Sequence, residues 1–214
     1  MSDPRLRERF GGLWTRMGAV DAGRQVVDEL LRAYNEPHRR YHGVDHLRDC
    51  LEQLDGAPAT GETRDLAEAA LWFHDAVYIP GAADNEARSA EWAAGALTGA
   101  GAPQARAHEV ARLVHLTDHA RPAEEPLGAL VCDVDLSILG RPPEEFAEYE
   151  RRIRAEYDRV PEPLYRMGRA SVLAGLLARE PLYRSDHFRA LYETAARRNL
   201  KRSLESLGGG RGAE

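Results

Sequence analysis

The chain has 214 residues, a formal net charge of −6, and a composition 43% hydrophobic and 30% charged, which is ordinary for one folded domain with a sizeable core. The acidic balance argues against a dedicated nucleic-acid surface, and no apolar run is long enough to cross a bilayer. Cys50 and Cys132, with no CxxC pair, exclude a disulfide framework, a zinc finger and a thioredoxin-type site; Met1–Phe10 lacks a leader's apolar run, so a cytoplasmic protein is expected.

In chain order the pattern predicts helices only. An amphipathic stretch runs from Pro4 to Met17, and Asp21 is placed to cap a helix reaching Asn35. The segment Glu36 to Gly43 (EPHRRYHG) has no periodicity and reads as a loop. Val44 to Leu54 is helical, with Leu47, Cys50, Leu51 and Leu54 on one face. Leu66, Ala70, Phe73 and Val77 recur at helical spacing and predict a helix over Glu62 to Val77, broken by IPGAAD at 79–84. Further helices are predicted from Glu86 to Leu97, and from Pro103 to Asp118 with proline in the first turn. The last four cover Leu127 to Leu139, Pro143 to Arg159, Leu164 to Arg179 and Asp186 to Leu207. No repeat or linker interrupts the series. The expectation is one all-α domain over 1–207 with a disordered tail at 208–214, compatible with a homodimer.

Three polar groups stand inside this apolar pattern. His46 opens the helix after the loop; His74 and Asp75 lie near the end of the next helix; Asp133 and Asp135 interrupt Cys132-Asp133-Val134-Asp135-Leu136. A histidine on a helix is more often an ordinary core or surface residue, and an aspartate beside apolar residues is often a cap. His74 and Asp75, however, edge the buried face at the wrong end for an N-cap, where a polar pair costs free energy unless something compensates it. A metal ion would compensate both. At about 100° per residue, Asp135 lies roughly 70° and Asp133 roughly 130° from the middle of the stripe Leu127, Leu130, Val131, Val134 and Ile138, so Asp135 is the better ligand. Two imidazoles and two carboxylates suit Mn, Fe, Co, Ni, Zn or Mg better than a thiophilic metal.

The order His46, His74-Asp75, Asp135 resembles the His…His-Asp…Asp signature of the HD superfamily of metal-dependent phosphohydrolases. The strings RRYHGVDH, ALWFHDAVY, DNEARSA, DVDLSILG, YERRIRAEY, MGRASVL and ARRNL resemble one bacterial subgroup of predicted HD phosphohydrolases, from about Trp14 to Leu204. The resemblance implies an HD-domain, phosphodiesterase-like helical bundle and metal ligation by His46, His74, Asp75 and Asp135. It also implies hydrolysis of a phosphate ester of a small molecule, a nucleotide among the candidates, by metal-activated water.

Other residues are secondary candidates. Glu86 favours a helix N-terminus or serves as a general base. His115 and His119, four apart, could assist proton transfer, contact phosphate or hold a second metal. His42 could stand behind His46. Arg39, Arg40, Arg154 and Arg169 could meet a phosphate, although Arg154 and Arg169 could equally form a buried ion network with Glu156. Two other readings remain open at this level: a nucleotide-sensing or metal-binding regulatory module without turnover, and a two-iron oxygenase of the kind found among some HD-fold proteins.

Overall fold

The computed structural model describes residues 3–208. Among them there are ten α-helices and no strand: α1 Pro4–Arg16, α2 Arg24–Tyr34, α3 Val44–Gly56, α4 Gly61–Phe73, α5 Asn85–Gly99, α6 Gln104–His115, α7 Pro126–Asp135, α8 Pro143–Glu156, α9 Glu162–Leu177 and α10 Asp186–Gly208. Short 3-10 segments, Leu116–Asp118 and Leu136–Gly140, continue α6 and α7. The expected tail falls at 209–214, outside the described residues, while Gly208 itself closes α10.

The centre of the molecule is α4. Every residue from Leu66 to Phe73 is buried, and α1, α3, α5, α6 and α7 all pack against this one helix. From Leu66 on the helix has no solvent face to keep polar, which is why AALWF reads apolar all round; the one buried charge, Glu68, accepts from Arg9 Nε at 2.7 Å. Asp3 caps α1 by accepting from the Arg5 and Leu6 amides, both at 3.1 Å. That sets Phe10 and Trp14 on one face, where Phe10 stacks on Trp14 and meets Trp72 edge-on, each at 5.0 Å. Truncating a buried aromatic such as Trp72 to alanine typically costs about 3–5 kcal/mol. The residues that follow Trp72 and Phe73 therefore leave a fixed point.

Several helix ends differ from the sequence expectation. Asp21 does not cap α2; its Oδ1 accepts from the Trp14 indole and the Gly23 amide, both at 2.8 Å. The cap is Gly23, left-handed at φ 61°, where a Cβ would sit 2.7 Å from the Trp14 ring. Glycine is required there on both counts. The helix predicted to Val77 stops at Phe73. The carbonyls at and beyond this end find partners outside the helix: Tyr34 Oη donates to Trp72 O at 3.3 Å, and the Arg39 guanidinium donates to Asp75 O and Ala76 O in the turn that follows. The helix predicted from Pro103 to Asp118 is α-helical only to His115 and then tightens into the 3-10 turn. The expected Pro143 to Arg159 helix ends at Glu156.

Candidate metal centre

Three of these ends converge. His46 lies in the first turn of α3, His74 and Asp75 in the turn that follows α4, and Asp135 at the last residue of α7. His46 Nε2 and His74 Nε2 face each other at 3.0 Å. Asp135 Oδ1 lies 3.0 Å from His46 Nε2 and 3.6 Å from His74 Nε2. Asp75 Oδ2 lies 3.1 Å from His74 Nε2 and 3.6 Å from His46 Nε2. The His74 Nδ1–H donates to Leu71 O at 2.9 Å, which leaves the Nε2 lone pair turned into the cluster.

His46, Cys50, His74 and Asp135 form a buried group whose ligand atoms all lie within 4.8 Å of one another, and this group could hold a metal ion. Of the four, Cys50 is the poorest donor. Its sulfur is 3.7 Å from both ring nitrogens of His46, beside the ring and not in line with either lone pair. Burial also pushes its thiol well above the usual range, so it stays protonated. Asp75 offers a better atom. Its Oδ2 is buried and accepts no hydrogen bond, His74 Nε2 being near but off the hydrogen-bonding direction. An uncompensated carboxylate oxygen is expensive in the interior, and two imidazole nitrogens at 3.0 Å with lone pairs facing repel unless a proton or cation lies between. Ligands on one ion at bonds of about 2.1 Å stand about 3 Å apart. The donor set and its spacing fit a divalent cation.

The charge balance points the same way. Burial would lower His74, but the neighbouring Asp75 charge outweighs it and holds the imidazole well above its usual value. Burial would raise Asp75 and Asp135. The His74 and His42 charges hold Asp75 below the carboxylate range, and the His119 hydrogen bond, with the neighbouring His46 and His74 rings, holds Asp135 well below it. Protons thus stand where a cation would compete for them.

A cavity of about 1010 Å³ opens over this cluster, with Asp75, Asp135, His42, Glu86 and His119 in its lining. His119 follows the 3-10 turn at φ 51°, the one described non-glycine residue with positive φ, a conformation that costs of order 1 kcal/mol and marks a constrained position. There its Nε2 reaches Asp135 Oδ2 at 2.7 Å. Burial would lower this ring as well; the Asp135 hydrogen bond overrides it and brings it up to about 10. Asp135 therefore has one oxygen on His119 and the other on His46. No family model, curated protein or solved structure matches this chain. The reading of the site rests on its geometry.

The structure does not bring all the sequence candidates together. His115 is exposed at the end of α6 and lines no part of the cavity; the change to 3-10 and left-handed backbone separates it from His119, so the two never share a helical face. Arg39 is buried outside the cavity lining, and four of its five N–H donors go to the carbonyls of His42, Asp75 and Ala76 and to Glu36. Arg154 serves Glu162 and the carbonyls of Tyr157 and Val160. Arg169 pairs with Glu150 and donates to Tyr149 Oη at 2.7 Å. Glu156 joins neither arginine. Its fully buried carboxylate accepts from the amides of Arg40, Tyr41 and His42 at 2.7, 2.7 and 2.9 Å, from His42 Nδ1 at 2.7 Å and from Tyr78 Oη at 2.8 Å.

Asp133 points away from the cluster, to the α9–α10 connection, where it accepts from the Arg184 and Ser185 amides and the Ser185 hydroxyl at 3.0, 2.7 and 2.6 Å. Asp133→Ala strands those donors and is expected to cost about 1–3 kcal/mol. Thermal unfolding should show the loss while the metal content of the purified variant stays at the wild-type value; a metal-free variant would place Asp133 among the ligands. Sequence patterns do not single out Glu156, Cys50 or Arg179 as site residues, although Arg179 lines the cavity and donates to His119 O. The only local signal is the motif IRAEY around Glu156.

Proposed function

We propose that the protein is a metal-dependent phosphohydrolase of the HD superfamily that cleaves a phosphate ester of a small molecule. The observation that carries this reading is the unpartnered Asp75 Oδ2 beside two facing imidazoles, at the floor of a cavity large enough for an organic phosphate. His46, His74, Asp75 and Asp135 would hold the ion, drawn from Mn, Fe, Co, Ni, Zn or Mg by the mixed nitrogen and oxygen donors. Such an ion supplies Lewis acidity, polarising a phosphoryl oxygen and acidifying water.

The other residues of the cavity divide the remaining work. His119 fixes Asp135 by its second oxygen and so aims the first at His46. Glu86, half-buried in the lining, has its carboxyl raised by burial and then by the charges of Asp75 and Asp118. A carboxyl so raised takes and returns a proton closer to neutral pH than an exposed one. His42, its Nδ1 held by Glu156, is left with Nε2 for a phosphoryl oxygen. Arg179 brings positive charge to the same cavity.

The test is phosphate release from a panel of phosphomonoesters and phosphodiesters by protein purified without chelator. Release should cease with EDTA and return with one of the six metals. Nucleotide binding by metal-replete protein with no phosphate released from any compound would favour the regulatory reading instead.

A further inference from the structure

The cavity is chemically divided. The carboxylates and imidazoles of the lining come from α5, the turn after α4, the 3-10 turn after α6 and the end of α7, with His42 from the loop before α3. A second, apolar part of the lining is one face of α9, contributed by Leu164, Gly168, Ser171, Val172, Gly175 and Leu176, at helical spacings of i, i+4, i+7, i+8, i+11 and i+12. Tyr149, Ile153 and Tyr157 add to it from α8 and the turn beyond, and Tyr165 from α9. Leu164 and Val172 are 56% and 54% exposed. Large apolar side chains left open along one wall of a cavity mark a surface that an apolar group covers. Gly168 and Gly175 hollow out the same wall: a Cβ at either position meets nothing within 4 Å.

The charges limit what the other half of the ligand carries. The lining holds four carboxylates, on Asp75, Glu86, Asp118 and Asp135, and two arginines, Arg169 and Arg179. Arg169 is tied to Glu150 and the Tyr149 hydroxyl. Among the described residues no carboxylate pairs with Arg179, so it is the one guanidinium of the lining left for an anion. With the ion at the cluster and His42, that one guanidinium provides for a single phosphoryl group; a polyphosphate chain would call for further cationic partners. The Asn85 amide, which also belongs to the lining, is already bonded to Ile79 N, Ile79 O and Ala82 O and has little left to read a base.

On the phosphohydrolase reading, we propose that the substrate is a monophosphate ester of an uncharged aromatic alcohol, with its ring lodged against the α8–α9 wall and its single phosphoryl group at the histidine–aspartate cluster. Tyr157 and Tyr165, with ring centres 6.1 Å apart and planes tilted by 46°, bring aromatic surface to that wall, one face of Tyr165 being covered by the Arg154 guanidinium.

The experiment compares 1-naphthyl phosphate, phenyl phosphate, decyl phosphate, ATP and pyrophosphate, by phosphate release and by equilibrium binding, in wild type and in the Gly168→Leu/Gly175→Leu double variant. Leucine is a better helix former than glycine, and the exposed-site variant Val172→Asp serves as a second probe of the wall. Wild type should bind 1-naphthyl phosphate at least tenfold more tightly than phenyl phosphate, decyl phosphate, ATP or pyrophosphate. The double variant and Val172→Asp should each weaken naphthyl binding at least tenfold and leave phenyl phosphate within twofold. Preference for ATP, pyrophosphate or decyl phosphate, or naphthyl binding unmoved in both variants, overturns the assignment. The two readings fail separately. Selective naphthyl binding with no phosphate released ends the phosphohydrolase reading alone, and metal-dependent hydrolysis that favours polyphosphates ends the aromatic-substrate assignment alone.

Discussion

His74→Ala and Asp75→Ala should each abolish chelator-sensitive phosphate release while far-ultraviolet circular dichroism stays that of the wild type. Each substitution removes an atom from the cluster and breaks its charge balance. Losing a residue that merely orients a metal ligand already lowers affinity by about 10–100-fold, so losing a ligand itself should leave the purified variant without metal. His74 is the C-cap of α4 and Asp75 follows it, both past the last residue of the helix proper, which is why helicity is expected to survive. Breaking a buried charged pair still costs about 3–5 kcal/mol where one partner is left behind, so a lower melting temperature accompanies the loss. Elemental analysis and phosphate release decide the matter: full activity in either variant would end the phosphohydrolase reading.

Glu156→Gln should be the most damaging substitution outside the cluster. Burial alone would raise this carboxyl, but the His42 hydrogen bond and charge, with the Tyr41 amide and the Tyr78 hydroxyl, override it and bring it to about 2. Its folded value thus lies below the usual carboxylate value of about 4.3, and the group contributes stability that is fully present above that value and is lost as pH falls toward 2. Each tenfold drop in proton affinity on folding is worth about 1.4 kcal/mol, so the contribution is about 3 kcal/mol at neutral pH. Glutamine keeps an oxygen for the three amides but replaces the other by a donor facing His42 and Tyr78. Denaturant unfolding should show a loss of about 2–3 kcal/mol at pH 7 and a flatter acid limb between about pH 5 and 3 than wild type. An unchanged acid limb would mean that the carboxylate does not hold residues 40–42 in place. Released from Glu156, His42 should also lose its aim into the cavity, so activity falls even where the protein remains folded.

Much of this architecture is legible in the order of residues, and the misses share a cause. Periodicity locates every helix because each buries a stripe against the core; α4, buried all round from Leu66 on, still shows the apolar spacing of Leu66, Ala70 and Phe73. The preference for Asp135 over Asp133 follows from angular position on α7, and the structure brings Asp135, not Asp133, to His46. Helix ends are set by groups far away in sequence. Arg39 gathers carbonyls past the end of α4, and no pattern within 62–77 announces that. The arginines of YERRIRAEY suggest an ion network for Glu156, whereas its five partners lie more than seventy residues upstream. Pairing His115 with His119 assumes a continuous helix, and the 3-10 turn between them removes that premise. Side chains that act through the backbone of distant loops leave little trace in local composition.

The placement of the acidic residues at helix ends has an electrostatic consequence of its own. His74 caps the C-terminal end of α4 and Asp135 is the last residue of α7, and neither helix has a basic residue in its last turn. A helix C-terminus carries roughly half a negative charge from its aligned peptide dipoles. The N-terminus of α3, which brings His46, carries the opposite half charge, so the two C-terminal ends leave a net negative backbone contribution beside the carboxylates, and the main chain holds that field in place when side chains turn. A divalent ion would be drawn there by the fold before any ligand atom touched it.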